Sequence, residues 1–556
     1  MGRSSLIKII FLFLYPYLLF AQVGYVELAN PVYSFLERMN SLGIIPDYNS
    51  FEKPLTRKQI AEFLSKINLK ETELAAIEKK ILLKYLSEFS FENTGVVNAS
   101  SFISETNVNY LKNENEKYIY FYSDSSDFNI YVNGIFSSAS ISKSTKDFTN
   151  NSTIINYGLS FRGTISNNIG FYFKATNGTY FGNRSIAQEQ NELRYNFKFT
   201  KEKIVSYGQN YFDFTEGYIA FENDLINLKI GRDRENIGYG STKIILGNSS
   251  PQFDYLSFRI RYKLFNFSYI HGKLLGEQFF IYDSIHQPIN IIQDKYFVYH
   301  RFGLNSFKNF SAGFGEMIIY SNRSFDLSYL NPFNFYKSIE HSNQDRDNSI
   351  MFFDLRYNPF EGISFYSTFM IDDLDFGKLG TNWYGNKFLT EFGSKIILNK
   401  NTPLTYSFQY IKIDPYFYTH HIKSNNYTNF DYGLANDYQP NSYLLTNELY
   451  FQLTADLDLA VKFTYSEHGS NIYDDNGVLI INNGGNILDG HRINDREYLN
   501  FLDGIKEINR DYMISGCYEF IKNYFFTFTL RKQIIESKFK KEGNPLTFYS
   551  SISLKF

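Results

Sequence analysis

The chain has 556 residues, 43% hydrophobic, 19% aromatic and 20% charged, with a net charge of −3. That length is too great for one ordinary soluble core, and the nearly balanced charge argues against a nucleic-acid partner. The single cysteine, Cys517, excludes an internal disulfide and a thiolate metal cluster.

At the start of the chain, Arg3 and Lys8 precede an apolar run, Ile9 to Phe20, ending at Ala21-Gln22. This pattern reads as a secretory signal peptide over residues 1–21, since the run is short of the roughly 20 apolar residues of a spanning helix. Residues 22–95 then carry a period of 3.6. Asn30 and Pro31 open a first helix with Val32, Phe35, Leu36, Met39 and Leu42 on one face, stopped by Gly43. Thr56 with Gln59 three residues later opens a second, faced by Ile60, Phe63, Leu64 and Ile67. Leu74, Ile77, Ile81, Tyr85 and Leu86 mark a third. No such stripe can be buried alone, so a small helical bundle is expected.

After a linker over 96–128 the period changes to 2. Ile155, Tyr157, Leu159, Phe161 and Ile165 alternate with Asn156, Ser160, Arg162 and Thr164. Arg162 should face a wet lumen, because a lipid-facing arginine at mid-depth costs roughly 2–4 kcal/mol. Short connections are predicted near 167–168, 223–224, 264–266, 305–309, 358–362, 399–403, 456–458 and 522–523. Between them lie loops near 141–153, 177–213, 231–253, 272–294, 321–347, 372–387, 413–442, 468–510 and 534–545. The last strand, Leu546 to Phe556, alternates apolar and polar and ends on an aromatic residue, which resembles the insertion signal of outer-membrane barrels. The expected fold is an all-β transmembrane barrel of about 18 antiparallel strands over 129–556, with the helical bundle in the periplasm. Cys517 falls in a strand as a small packing residue.

Several segments resemble the capsule assembly Wzi family of outer-membrane proteins: Asn30 to Arg38, Leu42 to Pro46, Pro54 to Ala61, Gly231 to Gly240 with Pro251 to Asp254, His300-Arg301 with Glu316, and Asp347 to Ser349 through Phe369 to Asp373. Where members have Trp-Gly in the loop corresponding to 231–253, this chain has Gly238-Tyr239-Gly240. The resemblance implies a surface lectin that binds exported capsular polysaccharide and helps hold it on the cell, without catalysis or cofactor. Leu42 to Ile45 and Pro54 to Arg57 also resemble a single S-layer homology repeat. Such repeats bind cell-wall polymers, so peptidoglycan is a candidate partner beside outer-membrane lipid, against the plainer role of bracing the barrel mouth.

The expected sugar contacts are Arg232, Arg234, Tyr239, Asp372, Asp373, Trp383 and Tyr384. Arginine forks bind acidic sugars bidentately, and aromatic rings receive the apolar face of a sugar while carboxylates take its hydroxyls. Each has a plainer reading: an ion-pair network for Arg232 to Glu235, solvated rim charges or lumen carboxylates paired with arginine for Asp372, Asp373 and Asp375, and girdle or loop-core packing for the aromatics, Tyr416, Phe417 and Tyr418 included. The Asp cluster is weighed as a calcium site and His420-His421 as a metal site, with solvated polarity favoured for both. In Glu340-His-Ser-Asn343 the adjacent His341 and Ser342 would point to opposite faces of a strand, which argues against a nucleophilic pair. The alternative functions are an outer-membrane porin for small solutes, with the helical bundle as a tether to the wall, and an adhesin or structural tether.

Overall fold

The computed structural model describes residues 23–105, 107–112, 114–124, 128–194, 210–282, 288–305, 309–344, 346–538 and 543–556. The signal-peptide expectation, residues 1–21, lies outside them. Among the described residues, eighteen antiparallel strands close into a barrel: β1 Phe128–Ser144, β2 Thr149–Ile165, β3 Ile169–Gly182, β4 Tyr211–Glu222, β5 Ile226–Asp233, β6 Phe253–Tyr262, β7 Phe265–Tyr282, β8 Pro288–Leu304, β9 Phe310–Ser321, β10 Asn348–Phe360, β11 Ile363–Asp373, β12 Lys387–Asn399, β13 Leu404–Ile413, β14 Ser442–Gln452, β15 Leu457–Ser470, β16 Ile505–Ile521, β17 Tyr524–Ser537 and β18 Leu546–Lys555. No helix among the described residues is long and apolar enough to cross a membrane.

Closure pairs β18 with β1, from Leu546 against Ser144 to Lys555 against Ile135. The short strand Tyr120–Asp124 continues the same edge of β1, so the linker already joins the sheet. The amide of Phe556 donates to the Gly134 carbonyl at 2.9 Å. A Cβ on Gly134 would meet the Phe556 ring at 2.6 Å, so the aromatic terminus needs glycine opposite it. Arg162 faces inward as expected, over the Tyr131 ring at 4.3 Å and donating to the Tyr118 hydroxyl at 2.7 Å.

Strand pairs flank every predicted short connection; of the one near 305–309, residues 306–308 lie outside the described residues. Two predicted loops are not loops: β1 and β2 run on to a turn at 145–148, and β7 and β8 extend as far as Tyr282 and Pro288. Their outer halves keep strand pairing past the belt that lipid would cover, where polar and apolar residues mix and the period-2 signal fades.

The helices of the amino-terminal unit are α1 Val32–Ser41, α2 Arg57–Asn68, α3 Ala76–Glu88 and α4 Ser90–Thr94. Asn30 caps α1 by accepting from the Val32 amide at 2.9 Å, and Thr56 caps α2 by accepting from the Gln59 amide at 3.3 Å. Gln59 does not complete a capping box; its side chain donates to Glu222 at 3.4 Å. The stripes meet in one core with Phe35, Leu36, Met39, Ile60, Leu64, Ile81 and Tyr85 buried.

This helical unit closes the short-turn end of the barrel. Lys58 pairs with Asp224 at 2.7 Å, Lys84 with Asp456 at 2.8 Å and Lys522 with Glu88 at 2.8 Å. The Gly362 amide donates to the Ser41 carbonyl at 2.7 Å. From α1 the chain then climbs into the lumen, where Phe51 is buried among Tyr239, Ile244, Ile245, Phe352 and other barrel residues. Glu52–Lys53 pairs antiparallel with Asn236–Ile237 from the loop between β5 and β6. The fillings entering from the two ends of the barrel are therefore hydrogen-bonded to one another inside it. Loop residues Phe417, Tyr418, Tyr427, Leu434 and Ile487 complete the interior core.

Candidate functional site

At the long-loop end, above this filled interior, a cavity of about 440 Å³ is lined by the ends of β10, β11 and β12, by the short helix Tyr336–Ser342 and by loops 374–386, 414–441 and 471–504. Four of the seven residues expected from the sequence meet there: Asp372, Asp373, Trp383 and Tyr384. A register shift between Ile371 and Asp373 leaves Asp372 buried and Asp373 half-exposed, and Lys387 on the neighbouring strand bridges them at 2.7 and 3.0 Å. Lys337 reaches Asp373 at 3.5 Å and Glu340 at 2.9 Å. The Tyr418 amide donates to Asp372 at 3.1 Å, tying loop 414–441 to the wall.

The aromatic side of the cavity comes from three loops. Tyr384 lies parallel to His491 with ring centres 3.5 Å apart, and Tyr416 meets His491 edge-on at 5.3 Å. Trp383 lies 5.2 Å from Tyr384 and under the Lys378 ammonium, 3.8 Å from the ring centre. The backbone is fixed too: the Tyr384 amide donates to Glu497 O at 2.8 Å and the Tyr416 amide to Gly484 O at 2.9 Å. Trp383 and Tyr384 are half-buried, whereas Tyr416, Phe417 and Tyr418 are buried and pack the loops. Burial, with His421 alongside, pushes the His420 imidazole down to about 3, and burial also lowers His491; both are uncharged at neutral pH. The cavity thus presents half-open aromatic faces beside carboxylates, two ammonium groups and neutral imidazoles.

The other three expected residues lie elsewhere. Arg232 points outward from β5 and forms a forked pair with Asp254 on β6 at 2.6 and 2.8 Å. Its neighbours Asp233 and Glu235 turn inward, where Lys229 holds Asp233 at 2.6 Å and Arg259 holds Glu235 at 2.7 Å. Three of the four charges in the run Arg232 to Glu235 are therefore paired, each with a residue of the barrel wall rather than with one another. Arg234 is half-buried, its Nε and Nη2 enclosed without a hydrogen-bond partner. Tyr239 is only 7% exposed, and its hydroxyl donates to Asp354 at 3.0 Å. The sequence offers Tyr239 as a sugar contact in a long loop; that loop folds inward and carries the ring into the lumen.

No group of three or more His, Cys, Asp or Glu residues suited to a metal occurs among the described residues. Asp375 caps its own turn, accepting from the Gly377 amide at 2.9 Å. His341 and Ser342 lie on a short helix, Tyr336–Ser342, where the Ser342 hydroxyl donates to Ser338 O at 3.0 Å. Sequence reasoning missed Lys337, Lys387 and His491. Lys387 had a signal, being the cation opposite two strand-end aspartates; His491 had none, since nothing in its loop's spacing ties it to Tyr384.

Residues 137–388 match the family model described as capsule assembly protein Wzi. Among solved structures, the chain is similar in fold to the Escherichia coli Wzi described as an outer membrane protein involved in group 1 capsule assembly and a carbohydrate-binding β-barrel. That similarity has 12% identity and a TM-score of 0.56, over 96% of this chain and 99% of that one. OprD of Pseudomonas aeruginosa (9% identity, TM-score 0.42, 77% of this chain and 93% of that one) and OccAB2 of Acinetobacter baumannii (10%, 0.44, 77% and 98%) are more distant. No curated protein matches the chain. The resemblance to the Wzi family read from the sequence holds over the matched segment, which runs from β1 to the start of β12 and includes Asp372, Asp373, Trp383 and Tyr384.

Proposed function

We propose that the protein is a non-catalytic outer-membrane lectin that binds exported, capsular-type polysaccharide at the loop-end cavity and helps attach it to the cell surface. The observation that carries this reading is the cavity itself, with Trp383 and Tyr384 half-open beside Asp372, Asp373, Lys337 and Lys387. The apolar face of a pyranose lies flat on an aromatic ring, and charged groups at the edge of such a pocket take its hydroxyls. The description of the Escherichia coli Wzi as carbohydrate-binding points the same way. Repeating sugars meet the site in many weak contacts, so avidity across many copies on one cell stands in for affinity. On this reading the short turns and helical unit face the periplasm, where α1 to α3 brace the mouth and have access to peptidoglycan, and residues 1–21 are removed on export.

The interior filling supports binding over permeation: Phe51 and loop residues such as Phe417 and Leu434 are buried where a porin keeps a wet channel. The test is single-channel conductance of the refolded protein, with and without surface polysaccharide purified from the source bacterium. No stable conductance, polysaccharide binding by the same preparation, and binding about two- to tenfold weaker in Trp383→Ala are expected. A steady open-pore current indifferent to polysaccharide would overturn the reading in favour of a porin.

A further inference from the structure

Most of the long loop between β9 and β10 lies off the lumen, and only its ends reach the other loops there. Register fixes which wall residues face which way. On β8, Phe297 and Tyr299 belong to the interior core with Phe51, so Tyr296, Val298, His300 and Phe302 point away from the lumen. Their partners on β7 and β9, Phe267, Tyr269, His271, Glu316, Ile318 and Tyr320, share that outer face. These residues should meet lipid, yet most are buried, in a cluster completed by Tyr329 and Tyr336 of the loop. Segment 322–344 is folded down against the outside of the barrel.

Its depth follows from strand geometry. His300 lies four residues above the end of β8 at Leu304. At about 3.3 Å per residue and a tilt of about 40°, that places it about 10 Å above the short-turn end of the strand, at a height that an apolar band about 25 Å tall would cover. Phe333 of the loop stacks on Phe267 with ring centres 4.9 Å apart, nearer still to the short-turn end.

An irregular segment at that depth must have its backbone polar groups satisfied, and the wall supplies the partners. Glu316 accepts from the amides of Tyr336 and Lys337 at 2.9 and 3.1 Å. His300 bridges Glu316 at 3.0 Å and the Pro332 carbonyl at 2.8 Å. The Tyr269 hydroxyl donates to Tyr329 O at 3.1 Å, and Tyr320 accepts from the Asp326 amide at 3.2 Å. Asn334 donates to Ser328 O at 3.1 Å. The outer face of the segment is of the opposite character. Leu327 is 75% exposed, Phe333 60% and Phe335 51%, and Leu327-Ser-Tyr-Leu-Asn-Pro-Phe-Asn-Phe-Tyr336 contains no charged residue. This apolar face is continuous with the lipid-facing wall, where Phe302, Phe353 and Leu355 are exposed beside it.

We infer that segment 322–344 is a membrane-embedded flap: it binds the acyl chains of the bilayer through Leu327, Phe333 and Phe335, and its backbone is made compatible with hydrocarbon by Glu316, His300 and Tyr269 of the wall. The flap covers a carboxylate and an imidazole that would otherwise face lipid. Because the helix Tyr336–Ser342 at its end carries Lys337 and Glu340 into the loop-end cavity, the lipid contact positions one wall of that cavity.

Trp383 is the single tryptophan, which makes fluorescence the direct test. In a Trp383→Phe background, Phe333→Trp or Leu327→Trp is reconstituted into phosphatidylcholine vesicles brominated in mid-chain, and Phe353→Trp reports the bare wall. The expected result is blue-shifted emission from the flap reporters, quenched by brominated lipid as strongly as the wall reporter and untouched by aqueous iodide. Iodide quenching of the flap reporters while the wall reporter is quenched by lipid would overturn the proposal, with the flap standing in water. Protection from both quenchers would overturn it equally, with a protein partner as the occupant. Leu327→Trp, at the more exposed position, keeps the test decisive if Phe333→Trp fails to fold. A wall reporter unquenched by lipid would instead refute the transmembrane reading of the barrel.

Discussion

Tyr239→Phe separates a structural tyrosine from a sugar-binding one. The sequence puts Tyr239 in a long loop, as a contact for polysaccharide; the structure puts it 7% exposed in the lumen, donating to Asp354 at 3.0 Å. The same carboxylate accepts two hydrogen bonds from Arg301, at 2.7 and 2.8 Å, and the Arg301 guanidinium lies 4.5 Å from the centre of the Phe51 ring. A hydrogen bond to a charged acceptor contributes about 1.5–3 kcal/mol. Asp354 keeps its two bonds from Arg301 in the variant, so the lower end applies. The expected loss is about 1.5 kcal/mol, about tenfold in the unfolding equilibrium, with polysaccharide binding unchanged. Arg301→Ala, which strands Asp354 without its cation, should cost about 3–5 kcal/mol. Both are read from urea unfolding in lipid vesicles by Trp383 fluorescence, with binding measured on the same preparations. Unaltered stability together with binding reduced tenfold or more in Tyr239→Phe would refute the argument and return Tyr239 to the sugar site.

Acid should loosen the loop end. His420 has an ordinary value of 6.5 that burial lowers to about 3 in the folded loop, so the unfolded loop binds the proton first. Loop stability is full above about 6.5, declines as pH falls through that value, and by pH 5 is reduced by at most about 2 kcal/mol; equal amide-exchange protection of loop 414–441 at pH 7.5 and pH 5 would contradict this. Thr56→Ala removes both the cap on α2 and a hydroxyl donor to Glu222 at 3.0 Å. It should cost about 1–2 kcal/mol in urea unfolding, and an unchanged midpoint would show that α2 is held by its packing alone.

The barrel was legible because its signals are local and repeat. Each short turn sits between alternating runs, and parity alone places the helical unit at the short-turn end; the caps at Asn30 and Thr56 are equally local. What could not be read is where the loops go. Loop 231–253 and loop 321–347 are both long and polar at their edges, yet one fills the lumen and the other lies on the outer wall. For the second the sequence does hold a clue: His300 and Glu316 interrupt the outward columns of adjacent strands, where lipid-facing residues should be apolar. Recognising it requires the register of β8 and β9, because only pairing reveals that the two polar residues are opposite each other and need a cover. The rim cavity was partly legible for the converse reason, since Asp372, Asp373, Trp383 and Tyr384 flank one loop and stay close whatever that loop does.

An eighteen-strand barrel encloses more space than its own side chains fill, and the way this space is occupied bears on the rim. Charged lumen residues such as Asp233, Glu235 and Asp354 each meet a cation within the interior. Buried pairs of this kind stabilise a structure only where geometry is held fixed. The joint between Glu52–Lys53 and Asn236–Ile237 ties together the fillings that enter from the two ends. Loops 414–441 and 471–504 also have legs in that interior, through Phe417, Tyr418 and Ile487, while their other residues line the cavity. Tyr418 itself is bonded to Asp372, and Tyr384 to the loop that carries His491. The rim cavity is therefore preorganised by the filled lumen, and on the proposed lectin reading a glycan would have little loop entropy to overcome there. A barrel emptied to conduct solutes would lose the supports that hold Tyr384, Tyr416 and His491 together.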